Sequence, residues 1–286
     1  MKFYYINHEN ERIDLSTYPY IFQEGDLLNW SYEYDTETNK SVNFRKEPKE
    51  YKCKIAVSIN PNTAPDKRYE EWEAAIKALL EIVSKDVMSE KNGKLYTDSG
   101  YYMPCKIIAS TKGTWRNGLI INELTVLSDL NTWIEEQNIS IRPITKVTTS
   151  DEEGLKSYPY TYPYAYLTSR TQVAVNIDHY MESDFQMKVY GATDSVHVNI
   201  AGHPYIVEYP LDEGEYMVID SRPYVAKDKR LYVVKNDGKA VNVFHYRDTE
   251  YSVFQKIPAG SIIIDYSRTY GIDLTIFKER SEPLWS

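Results

Sequence analysis

Histidine is the residue type in this sequence best suited to metal binding or proton transfer, and five histidines are present. His197 and His203, in the string HVNIAGH, form the closest pair and lie six residues apart. Metal sites combine several His, Cys, Asp or Glu residues in recognised spacings, and this pair matches none of them. The string AGHPY around His203 is typical of a tight turn, and His197 is expected on the exposed face of a strand. The pattern therefore predicts no metal site.

Nucleophilic catalysis would require a serine or cysteine in a reactive setting, and the sequence contains none of the motifs GxSxG, HExxH, GxGxxG or GxxxxGK[ST]. Cys53 and Cys105 lie in similar strings, CKIAVS and CKIIAS, which predict inward-facing strand residues with reduced thiols. The adjacent acids Glu135 and Glu136 could suggest a glycosidase, but such pairs are more often a solvated surface. We therefore expect no catalytic or cofactor-binding residue, no cofactor and no enzyme activity, with an unrecognised hydrolase as a remote alternative.

Composition argues against tight binding to nucleic acid. The chain of 286 residues has a formal net charge of −9, and its lysines and arginines are scattered rather than grouped in a phosphate-binding stripe. No apolar run approaches the roughly 20 residues of a membrane span, so we expect no membrane segment, no signal peptide and synthesis in the cytoplasm. The 27 tyrosines against 7 phenylalanines favour half-buried strands and wet contact surfaces.

An unusual run, KSYPYTYPYAYLTSR, spans residues 156–170 and has tyrosine at every second position from Tyr158 to Tyr166. Successive side chains of an extended chain point to opposite faces, so these five tyrosines would share one face. Pro159 and Pro163 exclude a helix and confine the segment to an edge strand or a polyproline-like conformation. A platform for a sugar or base, a low-complexity tail and a rigid connector all remain possible at this point.

The first half of the chain combines short strands with one helix. Runs such as KFYYIN, LLNWSYEY and YKCKIAVSI alternate and are separated by the turn-forming stretches QEGD and DTETNK. The period then changes, and an amphipathic helix is predicted over about residues 65–92, with Pro65 in its first turn and Asn92-Gly93 at its end. Its apolar stripe is predicted to face the core and consists of Tyr69, Trp72, Ile76, Leu79, Leu80, Val83 and Val87.

The second half is strand-like almost throughout. Nine alternating runs follow at intervals of about ten residues, which indicates a β-sandwich or jelly roll, and Asn236-Asp237-Gly238 predicts a hairpin. The fold class is therefore mainly β with one amphipathic helix. We predict an N-terminal β-rich domain over residues 1–145, a polar linker over 146–157 and a C-terminal sandwich over 158–286. The nine runs are TQVAVNID, FQMKVYG, VHVNIAG, PYIVEYP, EYMVID, RLYVVK, AVNVFHY, SIIIDYS and DLTIFKE.

Several strings, taken in order, resemble those of the distal tail (Dit) protein family of long-tailed bacteriophages. The resemblance covers nearly the whole chain and depends on the ordered set, since no single string is a catalytic signature. In the first domain the strings are RYEEWEAAIKALLEIVSKDV, GKLY, YYMPCKIIAS and LTVLSDLNTWIEE; in the second they are YPYTYPYAY, DFQMKVYGA, IAGHPYIV, YMVIDSR, NVF, IPAGSIIIDYS and ERSEPLW.

The resemblance implies a structural role at the virion tail tip, after assembly in the bacterial host cytoplasm. A ring-forming first domain, usually hexameric, would surround a channel through which DNA passes without specific binding. The ring would join the tail tube protein to the tail-associated lysin or fibre hub. The second domain would be a galectin-like β-sandwich that can carry a receptor-binding protein, with the tyrosine run as the entry into it. The alternative is a carbohydrate-binding module that recognises host cell-wall sugars.

Overall fold

The structure is a computed structural model that describes residues 1–64, 66–113, 119–144 and 171–284. The chain folds as two units, residues 1–135 together with 279–284, and residues 136–278. The last described residues thus belong to the first unit, which the predicted division of the chain did not anticipate. The predicted linker at 146–157 and the tyrosine run at 158–166 lie outside the described residues, so their roles stay predictions.

The first unit is an antiparallel β structure with one long helix. β8 pairs with β7 through its first half and with β9 through its second half, and a bulge between Ile107 and Ala109 follows this change of partner. The strand order is β2-β1-β7-β8-β9-β6-β3. Its elements are β1 (Phe3–Ile6), β2 (Arg12–Asp14), β3 (Tyr20–Gly25), β4 (Glu33–Glu37), β5 (Lys40–Arg45), β6 (Lys49–Ser58), α1 (Arg68–Met88), β7 (Gly93–Thr97), β8 (Tyr102–Lys112), β9 (Leu119–Ser128) and the start of β10 (Trp133–Ile141).

The predicted helix is confirmed as α1, but its stripe is only partly buried. Leu79 and Val83 lie in the core of the first unit, with Trp72 and Ile76 packed against it. At 100° per residue the remaining members of the stripe fall together at one edge of it, where they stay exposed. The prediction that the whole stripe faces the core is therefore wrong for three residues, which are Tyr69, Leu80 and Val87.

The second unit contains two sheets whose inward side chains form one core. One sheet has the order β17-β16-β15-β12-β19-β10, and the other has the order β11-β18-β13-β14. All nine predicted strand runs form strands. They are β11 (Gln172–Ile177), β12 (Asp184–Tyr190), β13 (Val196–Ile200), β14 (His203–Val207), β15 (Tyr216–Asp220), β16 (Leu231–Val234), β17 (Ala240–Asn242), β18 (Gly260–Asp265) and β19 (Ile272–Arg280), with 3₁₀ turns at Lys227–Lys229 and Phe244–Tyr246.

The hairpin predicted at Asn236-Asp237-Gly238 is also confirmed. β16 and β17 pair on either side of it, and Gly238 has a φ of +81°, a conformation that suits glycine. Alternating burial on β12 and β13 places Phe185, Met187 and Val198 in the core. The predicted fold class, mainly β with one amphipathic helix, is confirmed. In the described part of the chain, no helix is both long and apolar enough to cross a membrane.

Buried tyrosines make the stability of the fold depend on alkaline pH. Burial raises the pKa of Tyr20, Tyr51 and Tyr270 to about 12 each, compared with about 10 in an unfolded chain. Between these values the unfolded chain releases protons that the folded protein retains, so the free energy of unfolding falls as pH rises. We expect urea-unfolding midpoints to be level from about pH 7.5 to 9 and to fall from about pH 10 to 12.

Two phenylalanine substitutions test this explanation. Tyr20→Phe removes one hydroxyl that the folded protein keeps protonated. The urea-unfolding midpoint of this variant should therefore fall less steeply between about pH 10 and 12. Tyr34→Phe changes an exposed ring and should leave the slope as it is. If the unfolding midpoints of wild type and Tyr20→Phe fall equally steeply with pH, the loss of stability is not due to the buried Tyr20 hydroxyl.

Candidate functional site

The two histidines singled out from the sequence occupy their predicted places. His197 is exposed on β13, with Nε2 2.7 Å from Oε1 of Glu208. His203 begins β14 directly after the turn at Ala201-Gly202, and its Nε2 lies 2.9 Å from the carbonyl oxygen of Ser252. Within the described ranges, no group of three or more His, Cys, Asp or Glu residues could hold a metal ion.

The two cysteines are also where the sequence predicts them. Cys53 on β6 and Cys105 on β8 are free thiols buried in the core of the first unit. Burial raises the pKa of the Cys53 thiol to about 12 and raises the pKa of Cys105 as well. Because the thiolate is the nucleophilic form, both groups are unreactive at neutral pH. They contribute apolar packing rather than chemistry.

A buried carboxylate near the end of α1 was not singled out from the sequence. Asp86 has no exposed surface. Its Oδ1 accepts a hydrogen bond from the backbone N–H of His8 at 2.9 Å and lies 2.5 Å from the ring Nδ1 of His8. The Tyr5 hydroxyl donates to Oδ2, and burial, with contributions from Cys105 and Asp86, raises the pKa of Tyr5. These contacts of Asp86 connect β1 and the residue His8 that follows it to α1, so Asp86 has a structural role.

The exposed edge of α1 borders an apolar groove in the first unit. Leu80 is 57% exposed and Met88 is 85% exposed, although both are large apolar side chains. The groove has a volume of about 300 Å³, and Lys112 is the charged residue among the described residues that line it. Exposed apolar surface of this kind commonly marks a contact site. The other main lining residues are Val87 on the helix and Ile107 and Ile108 on β8.

A second exposed apolar feature of the first unit is the β4–β5 hairpin. Among the described residues these two strands pair with each other and with no further strand. Tyr34 is 55% exposed and Phe44 is 61% exposed, and their ring centroids lie 5.8 Å apart on one face of the hairpin. The opposite face carries an ion pair between Asp35 and Arg45 at 3.0 Å. The hairpin is therefore amphipathic, with an aromatic and a charged face.

The outer face of the β3-β6-β9 sheet is charged but balanced. Lys54 lies 2.6 Å from Glu24, and Lys52 lies 3.6 Å from Glu123. The hydrogen bond from Lys54 lowers the pKa of the Glu24 carboxyl, which keeps this pair ionised. Each of the two lysines thus has a carboxylate beside it, an arrangement unlike the unpaired cationic stripes that bind nucleic-acid phosphates.

Solved structures with the same fold come from phage tails. A chain of the phage P2 baseplate in its activated conformation with calcium aligns with a TM-score of 0.58 and 14% identity, covering 99% of both chains. A chain of the strontium form of that baseplate aligns with a TM-score of 0.58 and 15% identity, covering 99% of this chain and 100% of the other. The Dit protein of phage SPP1 aligns with a TM-score of 0.58 and 8% identity, covering 97% of this chain and 99% of the other. It is described as a paradigm of the hub adsorption apparatus in phages that infect Gram-positive bacteria.

The chain has the fold of a phage Dit protein. No protein-family model and no curated protein matches the sequence. The Dit-like fold extends over both units, as the ordered strings of the sequence predicted. The galectin-like character of the second unit and the sugar-binding alternative remain predictions. The tyrosine run, the feature that suggested sugar binding, lies outside the described residues.

Proposed function

We propose that this protein is a structural component of a phage or prophage tail tip, a baseplate hub protein of the distal tail type. The observation that carries the proposal is the match over 97–99% of the chain to a phage baseplate chain and to a phage Dit protein. Many unrelated proteins share a single β-rich unit, so a match to one unit alone would say little about function. Agreement over two successive units is far more specific.

The proposed protein forms a closed ring, with six copies as the expected number. The first unit builds the ring, and the second unit is a galectin-like sandwich. One side of the ring meets the tail tube protein, and the other meets the tail-associated lysin or fibre hub. A receptor-binding protein is a further candidate partner for the second unit. The assembled protein resides at the virion tail tip.

DNA passes through the channel of the proposed ring without specific binding. The net charge of −9 supports this part of the proposal, because a wall that neutralised many phosphates would hold DNA in place. The lysines of the β3-β6-β9 sheet also support it, because Lys52 and Lys54 each lie beside a carboxylate.

A non-enzymatic role follows from the same proposal. It is supported by the hub and baseplate proteins that share the fold and by the buried, protonated state of both cysteines.

Light scattering on the purified full-length chain tests the proposal. We expect a discrete oligomer, close to six copies of 33.4 kDa or about 200 kDa, either alone at high concentration or after addition of tail tube protein. A chain that stays monomeric under both conditions would contradict the proposal. Saturable binding to cell-wall glycans by that monomer would favour the carbohydrate-binding alternative instead.

A further inference from the structure

We infer that the aromatic face of the β4–β5 hairpin of one copy packs into the apolar groove beside α1 of the next copy. The inference rests on the proposed function, because it names the contact through which copies of the chain assemble. Both surfaces belong to the first unit, and both expose large apolar side chains to solvent.

The hairpin has the form of an inserting element. Side chains alternate between its two faces, so Tyr34, Thr36 and Phe44 occupy one face, which carries no charge. The other face holds the charged residues Glu33, Asp35, Glu37, Lys40 and Arg45. Aromatic side chains on a rigid support lose little conformational freedom on binding and are common anchors at protein interfaces. The uncharged face therefore has the chemistry of a buried contact.

The groove has the matching form of a receiving element. Its walls are the exposed edge of α1 and the outward side chains of β8 around the bulge. Its volume of about 300 Å³ exceeds the ~150 Å³ that accommodates a benzene molecule, so an aromatic side chain fits. Lys112 is the one charged side chain among the described lining residues, so the groove wall is mostly apolar and suits the uncharged face of the hairpin.

A second copy is the occupant that explains both surfaces together. Each chain carries one hairpin and one groove at different places on the same unit. Complementary but different surfaces make a head-to-tail contact, which leaves one surface of each kind unfilled until the copies close into a ring. A foreign partner seated in the groove would leave the aromatic face of the hairpin unexplained.

Cross-linking between copies tests the inference directly. A Phe44→Cys variant and a Leu80→Cys variant are mixed under assembly conditions and treated with a short bis-maleimide. Both positions are exposed, while the native thiols Cys53 and Cys105 are buried and should not react. We expect a cross-linked dimer from the mixture and much less from either variant alone.

A matched control replaces the hairpin by another exposed position. Tyr180 lies in the second unit and is 65% exposed, close to the exposure of Phe44. A Tyr180→Cys variant mixed with Leu80→Cys should give at least tenfold less cross-linked dimer. In parallel, Phe44→Asp should weaken assembly at least tenfold, because it puts a charge into an apolar contact, without lowering the thermal stability of the single chain.

The outcomes separate the inference from the proposed function. If the wild-type chain assembles but the Phe44 and Leu80 pair cross-links no better than the Tyr180 control, the inference is overturned and the proposed function stands. If the wild-type chain does not assemble at any concentration, with or without tail tube protein, both are overturned.

Discussion

Asp86→Ala is expected to destabilise the first unit by about 3–5 kcal/mol. The substitution removes the carboxylate that accepts from His8 and Tyr5 in a fully buried position. The ring and backbone N–H of His8 and the hydroxyl of Tyr5 would then lose their acceptor while remaining largely shielded from water. The loss measures the cost of leaving such groups unpaired rather than the strength of a single hydrogen bond. Urea unfolding followed by circular dichroism gives the value.

The control for Asp86→Ala is a second carboxylate on the same helix. Glu81 is 63% exposed and pairs with Lys77 at 3.8 Å. An exposed pair at this spacing contributes about 0.3–0.5 kcal/mol, so Glu81→Ala should change stability by no more than that. Similar effects of the two substitutions would show that the buried network around Asp86 has no special role.

Trp133→Ala is expected to cost about 3–5 kcal/mol, mainly through lost burial and the cavity left behind. Trp133 is 1% exposed, and its ring centroid lies 6.4 Å from that of Phe3 in the core of the first unit. The expected result is a clear fall in both the urea midpoint and the melting temperature, with the second unit unaffected where its transition can be resolved.

Trp30→Ala is the matched control for the core tryptophan. Trp30 is 52% exposed and meets Tyr32 at a centroid distance of 5.7 Å. Since most of its surface is already in contact with water, its loss should cost less than about 1 kcal/mol. A larger effect from Trp30 than from Trp133 would contradict the assignment of the core.

The strands were predictable because local signals agreed with their final environment. On strands such as β12 and β13, buried side chains alternate with more exposed ones, so alternation in the sequence survives in the structure. Turn residues such as Gly238 mark the strand ends. The buried thiols of Cys53 and Cys105 followed from the same alternation.

Features that depend on distant parts of the chain were not predictable. The helical period identified α1, but how much of the stripe is covered depends on the neighbouring strands, and they leave Leu80 57% exposed. Asp86 was not recognised because its partners lie about 80 residues away. A signal was nevertheless present, since Asp86 falls seven residues after Leu79 on the buried side of the helix.

The division into units shows the same limit. β10 continues past residue 135 into the second unit, where β19 lies beside it, and β19 then leads the chain back to the first unit. The linker predicted at the polar stretch 146–157 lies outside the described residues and stays a prediction. A strand pairing formed by residues more than a hundred positions apart leaves no local mark in the sequence.

Electron microscopy of the purified full-length protein, with tail tube protein added if it is needed for assembly, tests the proposed ring. We expect closed rings with a central opening and six-fold symmetry, in which every copy contacts two neighbours in the same way. Single particles of about the size of one 33.4 kDa chain, or open fibres that never close, would contradict it.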